Sequence, residues 1–128
     1  AVDVQNTISG RQVIAQNPWN NFIQGNNVAT LTLFPPPAGT TDLAVTSFTI
    51  MNTGDVPATI TVETASKVGG ACQVNGGGTL TELSVGPNST SHVEYPQPLV
   101  AHLTTNQCVV AEVNGDGATR ITGVGFTQ

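Results

Sequence analysis

The sequence predicts an all-β domain: a two-sheet antiparallel β-sandwich of roughly eight to ten short strands, with a jelly roll favoured over an immunoglobulin-like topology. Three observations carry that expectation. Thr, Val and Ile make up about a third of the 128 residues, and these β-branched side chains suit pleated, half-buried surfaces. Apolar and polar residues alternate with a period of two in segment after segment. Gly, Pro and Asn clusters punctuate those segments at fairly even spacing. The length suits one domain, 1–128, with no internal repeat or linker.

At the N-terminus Val2, Val4 and Ile8 alternate with Asp3, Gln5 and Thr7, and Arg11 to Gln16 is a second short segment. Asn17 to Phe22 is read as a polar loop carrying Trp19. In Asn27 to Phe34, Ala29, Leu31 and Leu33 share one face and Thr30 and Thr32 the other. Pro35, Pro36 and Pro37 then stop pairing, because proline has no N–H to give a ladder. Leu43 to Met51 and Ala58 to Ala65 are expected to form a hairpin with one wet face. Ile60 and Val62 point one way and Thr59, Thr61 and Glu63 the other. The connecting run from Phe48 to Thr59, through Asn52-Thr53-Gly54-Asp55-Val56-Pro57, resembles a turn found in many extracellular bacterial β-sandwich modules. That resemblance covers about a dozen residues of turn chemistry and implies a secreted sandwich, with no functional residue.

Further strands are expected over Thr79 to Val85, Thr90 to Tyr95 and Leu99 to Leu103. A final hairpin, Gln107 to Val113 with Ala118 to Thr127, would turn over Asn114-Gly115-Asp116-Gly117. Cys72 and Cys108 are too far apart for a CxxC motif and have no second pair with which to build a zinc site. They are therefore expected to form a disulfide, the alternative being two buried thiols. That pairing and the low charge fit an oxidising exterior, so a secreted or particle-surface location is expected. The chain begins at Ala1, which suggests a removed signal peptide or a trimmed sequence.

Only 9% of the residues are charged and the net charge is -5, which argues against phosphate neutralisation and hence against nucleic-acid binding. No apolar run approaches the ~18 residues of a membrane span, so no membrane insertion is expected. Asp3, Asp42, Asp55, Glu63, Glu82, Glu94, Glu112 and Asp116 are scattered, and nothing selects a catalytic pair among them. The chain is accordingly expected to be no enzyme and to carry no cofactor. His92 and Glu94 fall on one strand face, and His102 on the next segment makes them the best metal candidates. The alternative is a solvated strand face with Val93 and Tyr95 inward. Asn114 to Gly117 is a weaker calcium loop, short of carboxylates.

Trp19 with Asn20 and Asn21 has the composition of a carbohydrate-binding loop, although a lone Trp more often plugs one end of a core. Asn88-Ser89-Thr90 is a glycosylation sequon in an exposed turn, if the source glycosylates. Lys67 is the only lysine and so the only donor for an intramolecular isopeptide bond. The favoured function is a non-enzymatic structural or assembly module: a fibre, surface-layer or capsid-decoration subunit that forms homo-oligomers. Polar but uncharged surfaces lose little charge solvation when copies pack together. The segment 1–16 is the place to look for a strand added to a neighbour's sheet, the alternative being pairing within its own sheet. A carbohydrate-binding or adhesive module with a glycan partner is the second reading.

Overall fold

The computed structural model describes residues 17–74 and 78–128 in full, and the backbone of 7–8 and 11–12. The described strands are β1 (Thr7–Ile8), β2 (Arg11–Gln12), β3 (Asn17–Phe34), β4 (Thr41–Asn52), β5 (Ala58–Val68), β6 (Ala71–Gln73), β7 (Thr79–Val85), β8 (Ser89–Leu103) and β9 (Gln107–Thr127). Every pairing is antiparallel.

β9 organises the molecule. Along one side it pairs with β3 for nearly its whole length, from Asn17↔Thr127 to Phe34↔Val109. On the other side its first half, Gln107 to Asn114, pairs with β5, and its second half, Thr119 to Thr127, pairs with β4. β3 and β9 therefore run together through both layers of a sandwich. One layer reads β3–β9–β5 with β6 and β7 along β5; the other reads β3–β9–β4–β8. This is the jelly-roll arrangement, and nine strands are described.

Two expected hairpins are corrected. Asn114 to Gly117 does not reverse the chain: β9 continues through it, bending where Gly117 has φ +99° and where β3 shifts register between Asn26 and Val28. Glycines here serve a bulge rather than a turn, because a bulged strand needs the same left-handed backbone. Nor do β4 and β5 pair with each other. β9's two halves occupy their facing edges, so Thr53 to Pro57 crosses between layers. A Cβ on Gly54 would overlap the carbonyl oxygen of Asp116, which shows how closely this crossover seats on the bend of β9. Asn52, almost wholly buried, fixes the crossover. Its Nδ2 donates to the carbonyls of Val56 (2.8 Å) and Gly86 (3.1 Å), and its Oδ1 accepts from the Gly54 N–H (2.9 Å).

Other boundaries differ from expectation as well. The Trp19 region is strand, not loop, and Ser89 to Leu103 is one strand despite Pro96 and Pro98. Prolines are tolerated there because Tyr95 to Pro98 fall in a register shift against β4, between Glu94↔Ser47 and Leu99↔Val45, and among the described residues β8 pairs with β4 alone. The alternation read at Val2 and Val4 lies outside the described residues. β1 and β2 pair with each other in a two-stranded sheet separate from the seven-stranded one.

The core lies between the layers. Phe48, Leu43, Leu33, Ile50, Ile60, Val62, Leu103, Val109 and Ile121 have no or almost no exposure. Each such side chain contributes about 1.5–3 kcal/mol relative to an exposed one. The alternation at Ile60 and Val62 against Thr59 and Thr61 holds as expected. Cys72 and Cys108 are bonded. Their disulfide holds Cys72 over a second apolar cluster of Ala65, Cys108 and Val110, which lies on the face of β5 and β9 away from the main core. Gly69 and Gly70, both at positive φ, close the tight β5–β6 turn that brings Cys72 there.

Candidate functional site

The sheet edges differ in how they end. β6 and β7 are short, and β7 carries Glu82. β8 carries His92, Glu94 and His102 and is interrupted by Pro96 and Pro98. Shortness, charge and proline are the devices that keep an edge from accepting a foreign strand. β3 is different. Among the described residues it pairs with β9 alone, leaving its other edge open over 18 residues. None of those 18 residues is charged, and the only proline is Pro18, at the start. From Asn17 to Asn26 the register against β9 is regular, with shifts only beyond Asn26 and at Thr32.

The side chains on either side of this edge follow the strand's alternation. Trp19, Ile23, Leu31 and Phe34 point inward and pack on the core, but each is only partly buried, since among the described residues no strand pairs beyond β3. Trp19 meets Phe34 edge-on at a centroid distance of 6.0 Å, and its six-membered ring lies over Gly123, where a Cβ would stand 2.8 Å from it. Asn21 also turns inward, its Nδ2 donating to the Leu33 carbonyl at 2.8 Å. Asn20 is exposed. Of the three residues read as a sugar-binding group, Trp19 and Asn21 thus serve the interior. The exposed aromatic on this strand is Phe22, at 58% exposure, with Asn20 and Gln24 two residues either side. Its exposure escaped sequence reading because the strand's true start, ten residues before Asn27, was read as loop.

β4 and β8 bring His92 and Glu94 together but leave His102 apart. His92 lies across from Thr49 and His102 across from Asp42, seven residues away along β4. His92 Nδ1 is 2.8 Å from Thr49 Oγ1, and its Nε2 is 3.4 Å from Glu94 Oε1. His102 Nδ1 instead meets Asp42 Oδ1 at 2.6 Å. Among the described residues no group of three or more His, Cys, Asp or Glu side chains is placed to hold a metal ion. The Thr49–His92–Glu94 line has the order of a hydroxyl, a base and a carboxylate. It lies on an open strand face, with the His92 and Glu94 side chains 50% and 78% exposed. Asn88 caps the turn before β8 at φ +49°, its Nδ2 3.3 Å from Asp55 Oδ1.

Among the described residues one carboxyl is buried. Glu63 lies on the outward face of β5 yet is only 7% exposed, and its Oε1 has no hydrogen-bond partner. Glu112, diagonal to it on β9, is within hydrogen-bonding reach. Burial, then the hydrogen bond and charge of Glu112, push Glu63 up to about 7. A carboxyl that is buried beside a second carboxylate keeps its proton more readily than a solvated one, because its bare form is both poorly hydrated and repelled. Sequence alternation alone marked Glu63 as solvated; its burial comes from contacts remote in the chain.

No family model matches the sequence, and no curated protein matches it. Among solved structures, the chain is similar to the nucleoplasmin-like N-terminal domain of Drosophila FKBP39, with 8% identity and a TM-score of 0.41 over 86% of this chain and 88% of that one. PirA gives 15% identity and a TM-score of 0.40 over 93% and 99%. A Bacillus endospore appendage, from a family of disulfide-linked pili, gives 13% identity and 0.36 over 93% and 96%. At these values the likenesses decide nothing about what this chain does. No helix among the described residues is long and apolar enough to cross a membrane.

Proposed function

We propose that this chain is a non-enzymatic, extracellular building block of a fibre, surface layer or particle. Copies associate by adding strands to open sheet edges, and the N-terminal strand supplies a subunit contact. One observation carries the reading: β3 presents an 18-residue edge with no charge on it. Natural sheets blunt such edges when they are to stay solitary, and β6, β7 and β8 follow that rule while β3 does not. The Cys72–Cys108 disulfide supports an exterior setting. The scatter of carboxylates and the open setting of His92 support a role without chemistry.

Light scattering on size-exclusion fractions across a concentration series, followed by electron microscopy, tests the proposal. Oligomers or filaments that grow with concentration are expected; a strict monomer at the highest concentration rejects it. The carbohydrate reading keeps one observation in its favour, the exposed Phe22 ring flanked by Asn20 and Gln24. Glycan-array binding abolished by Phe22→Ala would sustain it, and binding absent or indifferent to that change would remove it.

A further inference from the structure

We infer that the free edge of β3 over Asn17 to Asn26 is the acceptor for the N-terminal segment, Ala1 to Gln16, of a second copy of this chain, an inference that rests on the assembly reading above. The acceptor is chosen by what the edges carry. A donor strand arriving at β8 meets Pro96 and Pro98, which bend and interrupt the edge, and the charged or titratable His92, Glu94 and His102. At β7 it finds seven residues and Glu82. At β3 it finds ten residues in unbroken register and no charge.

The donor is chosen by chemistry and length. Main-chain hydrogen bonds supply general affinity for any strand, and alternate side chains supply the choice of partner. Beside the acceptor edge the inward residues Trp19 and Ile23 are only partly buried, so an apolar side chain arriving on that face gains cover and gives it. Val2, Val4 and Ile8 supply such a face by alternation, with Asp3, Gln5 and Thr7 turned to water. Ala1 to Ile8 extends about 26 Å at roughly 3.3 Å per residue, against about 33 Å for the ten-residue acceptor. The segment runs directly into Asn17, so reaching its own β3 edge demands a reversal just before a residue already paired with Thr127. The described parts of the segment, β1 and β2, pair with each other and not with β3. A donor on one copy and an acceptor on the next make a head-to-tail contact, which propagates into a filament or closes into a ring.

The test places a photo-crosslinking amino acid at position 4 of the full-length chain, mixed with isotope-labelled copies so that cross-links within and between chains separate by mass. Cross-links from position 4 to residues 17–26 of another copy are expected. In parallel, the full-length double variant Val2→Asp/Val4→Asp is expected to associate at least about tenfold more weakly with an unchanged melting temperature. Assembly with cross-links to β8, to β7 or within one chain overturns this inference and leaves the assembly reading standing. A wild-type chain that stays monomeric overturns both.

Discussion

Replacing Glu63 by Gln removes the one strongly displaced carboxyl among the described residues and changes how stability depends on pH. Glu63 is 7% exposed, beside Val110 and diagonal to Glu112. The other charged groups on this face are Glu82 on β7, across Thr61, and Lys67 on β5 itself; β3 contributes none. Its folded value of about 7, against 4.5 for an ordinary Glu, means the folded chain holds a proton that the unfolded chain has released. A raised value contributes stability that is complete below pH 4.5 and is lost as pH climbs through about 7. The full displacement corresponds to about 3 kcal/mol at 1.36 kcal/mol per pH unit, and solvent reaching the half-buried Glu112 reduces it to roughly 1.5–3 kcal/mol. Glu63→Gln keeps the shape, donates to Glu112 and cannot ionise. Urea unfolding at half-unit steps from pH 4.5 to 8 measures the effect. The wild type should lose stability relative to the variant across pH 4.5–7, with the difference constant above that window. A wild-type minus variant difference that is flat, or that rises with pH, would refute the raised affinity of Glu63 for its proton.

Three further outcomes follow from packing and bonding. Asn52→Asp keeps the shape but leaves the Val56 and Gly86 carbonyls without a donor, so urea midpoints should report a loss of about 2–4 kcal/mol; a loss under about 0.5 kcal/mol contradicts the account. Cys72→Ala/Cys108→Ala opens a cross-link between residues 36 apart and should cost roughly 4 kcal/mol in the chain-entropy description, read by unfolding under non-reducing conditions. Gly54→Ala drives a methyl group into the Asp116 carbonyl, and a loss of more than about 2 kcal/mol is expected; an unchanged melting curve would show that the crossover is not seated on the bend of β9.

The sandwich was legible because inward and outward residues alternate over Phe48 to Asn52 of β4 and Ala58 to Val62 of β5, where Phe48, Ile50, Ile60 and Val62 are buried as their spacing demands. The disulfide followed from cysteine arithmetic. Connectivity was less legible, and the reason lies in particular residues. Asn114-Gly115-Asp116-Gly117 satisfies the backbone needs of a hairpin turn and of a bent strand equally, and only the long pairing with β3 decides between them. Two strands joined by a tight connection look like a hairpin from sequence. β4 and β5 part company because both halves of β9 claim their edges. The open edge of β3 was hidden for a related reason: Asn17 to Phe22, rich in amides, reads as loop, and only its register against β9 reveals a strand. Glu63 occupies the polar phase of β5, and the strands that flank it there, β7 at Thr79 and β9 at Val110, are brought from far along the chain.

Hydrogen–deuterium exchange on the full chain, at dilute and at concentrated protein, tests the central claim most directly. An open edge strand exchanges its outward amides quickly, and an added strand protects them. The account predicts that amides of Asn17 to Asn26 gain protection as concentration rises while those of β8 do not. Equal exchange of this stretch at both concentrations, in a sample that light scattering shows to be assembled, would contradict it.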